Sequence, residues 1–391
     1  MLRPRTSEKA LRLADSVFPK WTGLARQYNA VNLSQGFPDF PAPDDVKAAA
    51  CEAIAGDINQ YAATAGAKSL RDAIAAGMTR RHGLVVDPDV NITVCCGGTE
   101  SMIATMLAVV DPGDEVIIFE PFYEIYSPDV MLAGAAPRYV TMKTPSTGDG
   151  DFTFDPDELA AAFNNKTRAI IVNTPNNPTG KVFTRDELEQ IAALCRHWNV
   201  IAIMDEIYEH IVYDEATHVS MATLDGMQDR TVSINSLSKT FSVTGWRVGW
   251  TTAPADIAGA IRKVHEQLTV GPASPLQAAG AMALNLPDSF FRELASSYQG
   301  KRERLLGILT RAGFGCYIPR GAYYIMADVT QLGLGDDVAC AMHLVKEVGV
   351  VALPGSVFYR DPSAGNTTLR FCFCKKDETL SAAEERLARL R

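Results

Sequence analysis

Between residues 91 and 235 the chain repeats one arrangement: a short run of β-favouring apolar residues, then a longer stretch with helical spacing. The apolar runs are 91–96, 115–119, 168–173, 200–205 and 231–235. The helical stretches between them are 99–110, 123–133, 155–163 and 184–198. The last opens on Thr184-Arg185-Asp186-Glu187, a capping box in which hydroxyl and carboxylate satisfy each other's backbone N–H. Nearly continuous apolar strands alternating with helices must be buried on both faces. The pattern therefore predicts βαβ units and an α/β fold with a mainly parallel central sheet covered by helices. Residues 245–252 read as one more strand.

The texture changes after about residue 275. A long helical pattern over 287–312 ends at Gly313, in the position of a C′ glycine. Short strands come next near 314–318, 322–329, 350–353 and 367–374, with helices near 336–348 and 377–390, which together make an α+β unit. The first forty residues contain Gln35-Gly36-Phe37-Pro38-Asp39-Phe40, too rich in Pro and Gly for a helix. A chain of 391 residues exceeds the roughly 250–300 at which single cores stop growing. The expected organisation is an N-terminal arm over 1–45 that belongs with the small domain, a large domain over 46–275 and a small C-terminal domain over 276–391.

With 47% hydrophobic and 21% charged residues, the chain can bury enough surface to offset its ordering entropy, which excludes disorder. The 46 acidic residues outnumber the 37 basic ones, which argues against nucleic acid as the main partner. No run of 18 apolar residues offers a membrane span. The N-terminus lacks an apolar core followed by a small-residue cleavage site, so a cytoplasmic protein is expected. The eight cysteines form no C-x-x-C and no ligand set with histidine, and read as buried reduced thiols with no metal.

In an open α/β sheet, ligands bind at the carboxyl ends of the strands, so the residues just past each strand matter most. Gly97-Gly98-Thr99-Glu100 comes after the first. Glu120-Pro121-Phe122-Tyr123 comes after the second, and Thr174-Pro175-Asn176-Asn177-Pro178-Thr179-Gly180 after the third. The fourth closes on Asp205-Glu206-Ile207-Tyr208 and the fifth on Ser236-Leu237-Ser238-Lys239-Thr240. Gly97-Gly98-Thr99 is either a plain turn with Thr99 as N-cap or an anion site at a helix N-terminus. It is neither a Walker loop nor G-x-G-x-x-G. Asp205, at the end of a buried run, is either an N-cap or a carboxylate facing a cationic ring nitrogen. Tyr123 by itself reads as packing, and Lys239 by itself as a surface lysine. After a buried strand, inside a cleft, Lys239 is instead suited to Schiff-base chemistry. Arg247, eight residues on, offers a planar fork for phosphate. Arg370 sits in an apolar strand and must meet an anion, either a structural carboxylate or a substrate.

Together these residues resemble the class I pyridoxal-phosphate-dependent aminotransferases of fold type I, over essentially the whole chain. Ser236-Leu237-Ser238-Lys239-Thr240-Phe241 with Arg247, the Asn177-Pro178-Thr179-Gly180 turn, Asp205-Glu206-Ile207-Tyr208 and Arg370 carry the resemblance. The segments at Gly36 and Tyr123 are similar to the branch holding kynurenine/glutamine, methionine and some diaminopimelate-pathway aminotransferases. The resemblance implies transfer of an amino group from an L-amino acid to a 2-oxo acid, ping-pong, through a pyridoxal phosphate Schiff base on Lys239. It implies that Asp205 pairs with the ring nitrogen, that Asn177 and Tyr208 bond the ring's phenolic oxygen, and that Tyr123 stacks on the ring. It places the phosphate on Gly98, Thr99, Ser236, Ser238 and Arg247, with Tyr61 reaching across from the other subunit of a homodimer. It gives the substrate carboxylate to Arg370 and Asn177, under the backbone of Gly36. For the aromatic of the N-terminal arm, Phe18 and Trp21 both stand as candidates. No second arginine is placed for a side-chain carboxylate.

Two other functions share part of this pattern. A carbon–sulfur β-lyase on the same scaffold would keep Lys239, Asp205 and Arg247. A non-catalytic ligand-binding domain would have lost Lys239 or Asp205, and both are present.

Overall fold

In the computed structural model, which describes residues 5–390, the strands in chain order are β1 (Val31–Asn32), β2 (Ile92–Cys95), β3 (Glu115–Glu120), β4 (Ala136–Thr141), β5 (Thr167–Asn173), β6 (Ile201–Asp205), β7 (Thr231–Ser236), β8 (Gly249–Thr252), β9 (Gly315–Cys316), β10 (Tyr324–Asp328), β11 (Val350–Val351), β12 (Leu353–Pro354) and β13 (Thr368–Cys372). The central sheet has the order β2-β8-β7-β6-β5-β3-β4. Every neighbour pair is parallel except those of β8, which runs against both β2 and β7.

Burial on both faces explains why β3, β5 and β6 carry almost no polar residue between their ends. Ile117, Phe119, Ile170, Val172, Ala202 and Met204 point into one core, whereas Val116, Ile118, Ala169, Ile171, Ile203 and Ile234 point into another on the opposite face. Each buried aliphatic side chain contributes roughly 1.5–3 kcal/mol of transfer free energy, and a strand with helices on both faces collects it at every position. Helix Arg185–Trp198 is set by the Thr184/Glu187 capping box, with both reciprocal bonds in place.

The C-terminal layer is the antiparallel sheet β12-β13-β10-β9. Its core also takes in Trp21, Ala25 and Leu33 from the N-terminal arm, and β1 pairs with β11 in parallel. Helix Asp288–Arg311 buries Tyr298, Arg302, Leu305 and Leu309, one stripe at helical spacing. Gly313 beyond it has φ +95°, as a C′ glycine requires.

Three local expectations are corrected. Only the second half of 245–252 is strand: Thr244–Trp246 is a 3₁₀ turn and Arg247 is left-handed at φ +55°. The helix expected from Thr99 begins two residues earlier, at Gly97, so Thr99 is inside it. The run 350–353 divides between two sheets, as β11 and β12. Helix Ser274–Leu284 packs its Ala281, Ala283 and Leu284 with Leu70, Leu237 and Trp250 of the large unit. Strand β4, at the sheet edge, has no counterpart in the sequence reading. Its pattern Ala-Pro-Arg-Tyr-Val-Thr is too polar for a buried run, because edge position leaves it half exposed.

Candidate active site

The carboxyl ends of β2, β3, β5, β6 and β7 meet the N-terminal arm and the C-terminal layer around a cleft of about 130 Å³. Eleven of the thirteen residues singled out from the sequence line it: Gly36, Gly98, Thr99, Tyr123, Asn177, Asp205, Tyr208, Ser236, Ser238, Lys239 and Arg247. Arg370 lies directly behind Asn177, and Tyr61 lies elsewhere.

Strand β7 ends at Ser236 and turns at once into the short helix Leu237–Thr240, which carries Lys239 into the cleft. Its Nζ donates to the Gly36 carbonyl at 3.1 Å. Tyr323 Oη donates to the same carbonyl at 2.8 Å. Burial pushes the Lys239 amine down to about 8, and the nearby Arg247 and Arg370 act in the same direction. An amine with that value keeps about a fifth of its population neutral, and so nucleophilic, near physiological pH, far more than an ordinary lysine.

Asp205 closes β6 in the next strand over. Its Oδ2 accepts from Tyr126 Oη at 2.6 Å and its Oδ1 from the Ile207 amide at 3.4 Å. Burial nevertheless raises its carboxyl to about 6, against the lowering effect of those two bonds. Such a group is short of a cation. Asn173 at the end of β5 ties the neighbouring strand ends together. Its Nδ2 donates to the Asp205 carbonyl at 3.0 Å and its Oδ1 accepts from the Asn177 amide at 2.7 Å.

At the opposite rim, helix Gly97–Val109 starts immediately after β2, so its free first-turn amides face the cleft at Gly98 and Thr99. The turn closes tightly because Gly97 is at φ +83° and because Gly249 lies against it. A Cβ on Gly249 would come within 2.5 Å of the Gly97 backbone. Glu100 pins this turn from behind, accepting from the Cys96 amide, with His265 Nδ1 at 2.8 Å and Thr269 Oγ1 at 2.6 Å. The Ser236 and Ser238 hydroxyls lie 2.5 Å apart. Arg247 Nη2 reaches the Thr99 hydroxyl at 3.4 Å. Amides, two hydroxyls and a guanidinium thus converge as an anion cradle.

Arg370, in the middle of β13, is wholly buried. Its Nη1 donates to Asn177 Oδ1 at 2.7 Å and its Nη2 to the Ser34 carbonyl at 2.8 Å. The rings of Tyr324, Phe358 and Phe18 surround the guanidinium at 4.3, 4.9 and 5.7 Å. Of the two arm aromatics, Phe18 lines the cleft, whereas Trp21 packs into the C-terminal core. Tyr208 Oη lies 2.9 Å from Tyr324 Oη. Tyr123 stands edge-on to Tyr126, with centroids 5.9 Å apart.

Tyr61 is 88% exposed, in a separate hollow beside residues 270–274. The sequence reading missed Tyr126, Asn173 and Tyr324. Tyr126 falls one helical turn after Tyr123, a spacing that would have put a second phenol on the same side. Tyr324 carries no local signal, since it reaches the cleft only through the pairing of β10 with β13.

Comparison with known proteins gives a consistent result. Residues 28–387 match the family described as aminotransferase class I and II. A probable N-succinyldiaminopimelate aminotransferase of Mycobacterium tuberculosis is 41% identical, with 96% of each chain covered. A human kynurenine–oxoglutarate transaminase is 38% identical, with 93% of each covered. A solved Escherichia coli structure, titled for its methionine aminotransferase function, superposes with a TM-score of 0.94 at 36% identity over the full length of both chains.

Proposed function

The chain belongs to the class I and II aminotransferases and is a transaminase, and from that premise we propose how its residues divide the transfer of an amino group from an L-amino acid to a 2-oxo acid. The family implies pyridoxal phosphate, which when bound supplies a carbonyl for the amino group and a ring that accepts the electron pair left by the departing α-proton. The donor set of the cleft fits that group: a desolvated amine, a carboxylate short of a cation and a cradle for a phosphate.

Lys239 anchors the cofactor through its neutral amine and afterwards takes and returns the α-proton. Asp205, steadied by Tyr126, holds a proton on the ring nitrogen. Asn177 and Tyr208 donate to the phenolic oxygen, and Tyr123 covers the ring face. The amides of Gly98 and Thr99, with Ser236, Ser238 and Arg247, hold the phosphate. Arg370 and Asn177 grip the substrate α-carboxylate, and the backbone of Gly36 closes over it and excludes water. Both half-reactions use this one cleft in turn, which gives ping-pong kinetics. The aromatic wall of Phe18 and Tyr324 next to Arg370 supports an apolar, aromatic or thioether donor over an acidic one.

A homodimer belongs to the same reading, with Tyr61 of each subunit reaching the phosphate of the other. Its support is a phenol exposed on its own chain, away from its own cleft. A cytoplasmic location is supported by eight cysteines that all stand as free thiols, five of them buried. Among the described residues no helix is long and apolar enough to cross a membrane.

The observation that carries the reading is Lys239 beside Asp205 in one enclosed cleft under an anion cradle. Borohydride reduction of the pyridoxal-phosphate-loaded protein, followed by peptide mapping, should place the label on Lys239. Lys239→Ala should lose transamination by at least ~10³-fold while keeping its melting transition. A label on another lysine, or near-normal turnover of the variant, refutes the assignment.

A further inference from the structure

The same strand that delivers Lys239 has a second site at its other end. Strand β7 runs from Thr231 to Ser236, and a separate cavity of about 160 Å³ opens at the Thr231 end. Its floor is made of three hydroxyls, from Thr231, Ser233 and Thr252. Thr231 and Ser233 are two residues apart on β7 and so share a face, roughly 7 Å from each other. Ser233 pairs directly with Thr252 of the antiparallel β8, which brings those two side chains within about 5.5 Å.

All three residues are more than nine-tenths buried, at 2, 5 and 7% exposure. Among the described residues none of the three hydroxyls has a hydrogen-bond partner. No described protein group satisfies these hydroxyls, so their partners must come from whatever fills the cavity. The rest of the lining includes the apolar Met78, Leu84, Val86 and Ala222 and the amides Asn91 and Gln228, and the one ionisable lining group is the carboxylate of Asp229 at the exposed rim. Cavities near 150 Å³ hold a benzene-sized ring.

We propose that this cavity is a binding site for a small neutral heteroaromatic ring, its polar edge on the three hydroxyls and its apolar face against Met78 and Leu84. Hydroxyls both donate and accept, so they suit a ring edge that alternates donors with acceptors. The absence of a lining cation disfavours an anion, and the apolar part of the lining disfavours a polyol. The site is separate from the catalytic cleft and does not depend on the roles assigned there.

Uracil is a suitable probe, having a polar edge and an apolar C–H edge on a single ring. It should bind the cofactor-loaded enzyme with a Kd of about 1 mM or tighter, measured by saturation-transfer NMR and located by a crystal soak. The double variant Thr231→Val/Ser233→Ala should weaken that binding at least tenfold with transamination unchanged. Ala222→Trp fills the cavity from its apolar lining without touching the hydroxyls, and should abolish it. The proposal is overturned by any of three results: no saturable binding up to about 10 mM, binding that neither variant alters, or glycerol occupying the three hydroxyls in preference to uracil.

Discussion

Each of the two sheets that meet at the cleft brings one buried charge to it, and they treat that charge in opposite ways. Arg370, from the C-terminal sheet, is given two carbonyl acceptors and three aromatic faces. Asp205, from the central sheet, has one strong bond from Tyr126 and one long one from an amide, and its carboxyl is raised to about 6. Arg370 is prepared in advance, as a group that must recognise each incoming carboxylate should be. Asp205 is left in deficit until a cation arrives beside it, which suits a partner that stays. On the roles proposed for these two residues, the pocket holds its deficit for a resident group and not for a passing one.

The strongest way to break this contrast is Asp205→Asn. Turnover should fall at least ~10²-fold, since an amide cannot hold a proton on the ring nitrogen. A loss below tenfold would mean that Asp205 is only a cap. The same variant has an opposite effect on stability in the cofactor-free protein. A carboxyl raised from 3.8 to about 6 binds more protons folded than unfolded between those values. Its contribution is therefore intact below pH 4 and lost as the pH rises to 6. Above pH 6 the cofactor-free Asp205→Asn protein should be more stable than the parent by up to ~3 kcal/mol, and near pH 4 the gap should close. Denaturant titrations across that window decide it.

Arg370→Gln tests the other half. It removes the charged grip on the substrate carboxylate proposed for it, worth roughly 1.5–3 kcal/mol, so kcat/KM for amino acids should drop about 30-fold. The loss should appear mainly in KM, whereas Asp205→Asn should act on kcat. If both variants act on the same parameter, the resident/passing distinction fails. Tyr61→Phe extends the comparison to a group outside both sheets. Cofactor affinity should weaken about tenfold, and a mixed dimer pairing a Lys239→Ala subunit with a Tyr61→Phe subunit should bind cofactor normally at its one lysine-bearing site. Weakened affinity at that site would place Tyr61 in cis. The smallest expected effect is from Tyr126→Phe. Turnover should fall only about three- to tenfold, and the Asp205 carboxyl in the cofactor-free protein should titrate above 6. An Asp205 that titrates lower would mean that Tyr126 is not its main support.

Much of the cleft was legible because strand ends are local in sequence. A buried apolar run ending in Asp205, and another running into Ser236, Ser238 and Lys239, announce where those side chains go without any tertiary knowledge. Residues that reach the site through pairing or packing were not legible. Tyr324 depends on the register of β10 against β13, and Phe18 could be told from Trp21 only by which face of its helix meets the C-terminal core. The strand expected over 245–252 failed for a related reason. Gly-Trp-Arg-Val-Gly-Trp looks continuous, but the left-handed turn at Arg247 is what sends the guanidinium back toward Thr99, and no periodicity encodes it.

The pairing of β1 with β11 joins residues that lie more than three hundred positions apart in the chain. Closing so long a loop in an unstructured chain carries a substantial entropic cost before any contact repays it. If the central sheet is already folded, the intervening chain is compact and most of that cost has been met. The C-terminal layer is therefore expected to assemble last, on a finished large unit. During synthesis the arm bearing Trp21, Leu33 and Gly36 emerges early and must wait for strands made near the end. Until then its apolar side chains have no core to enter. The closure over Lys239 is thus a late event in the life of each molecule, and a nascent chain carries the lysine before it has a roof to put over it.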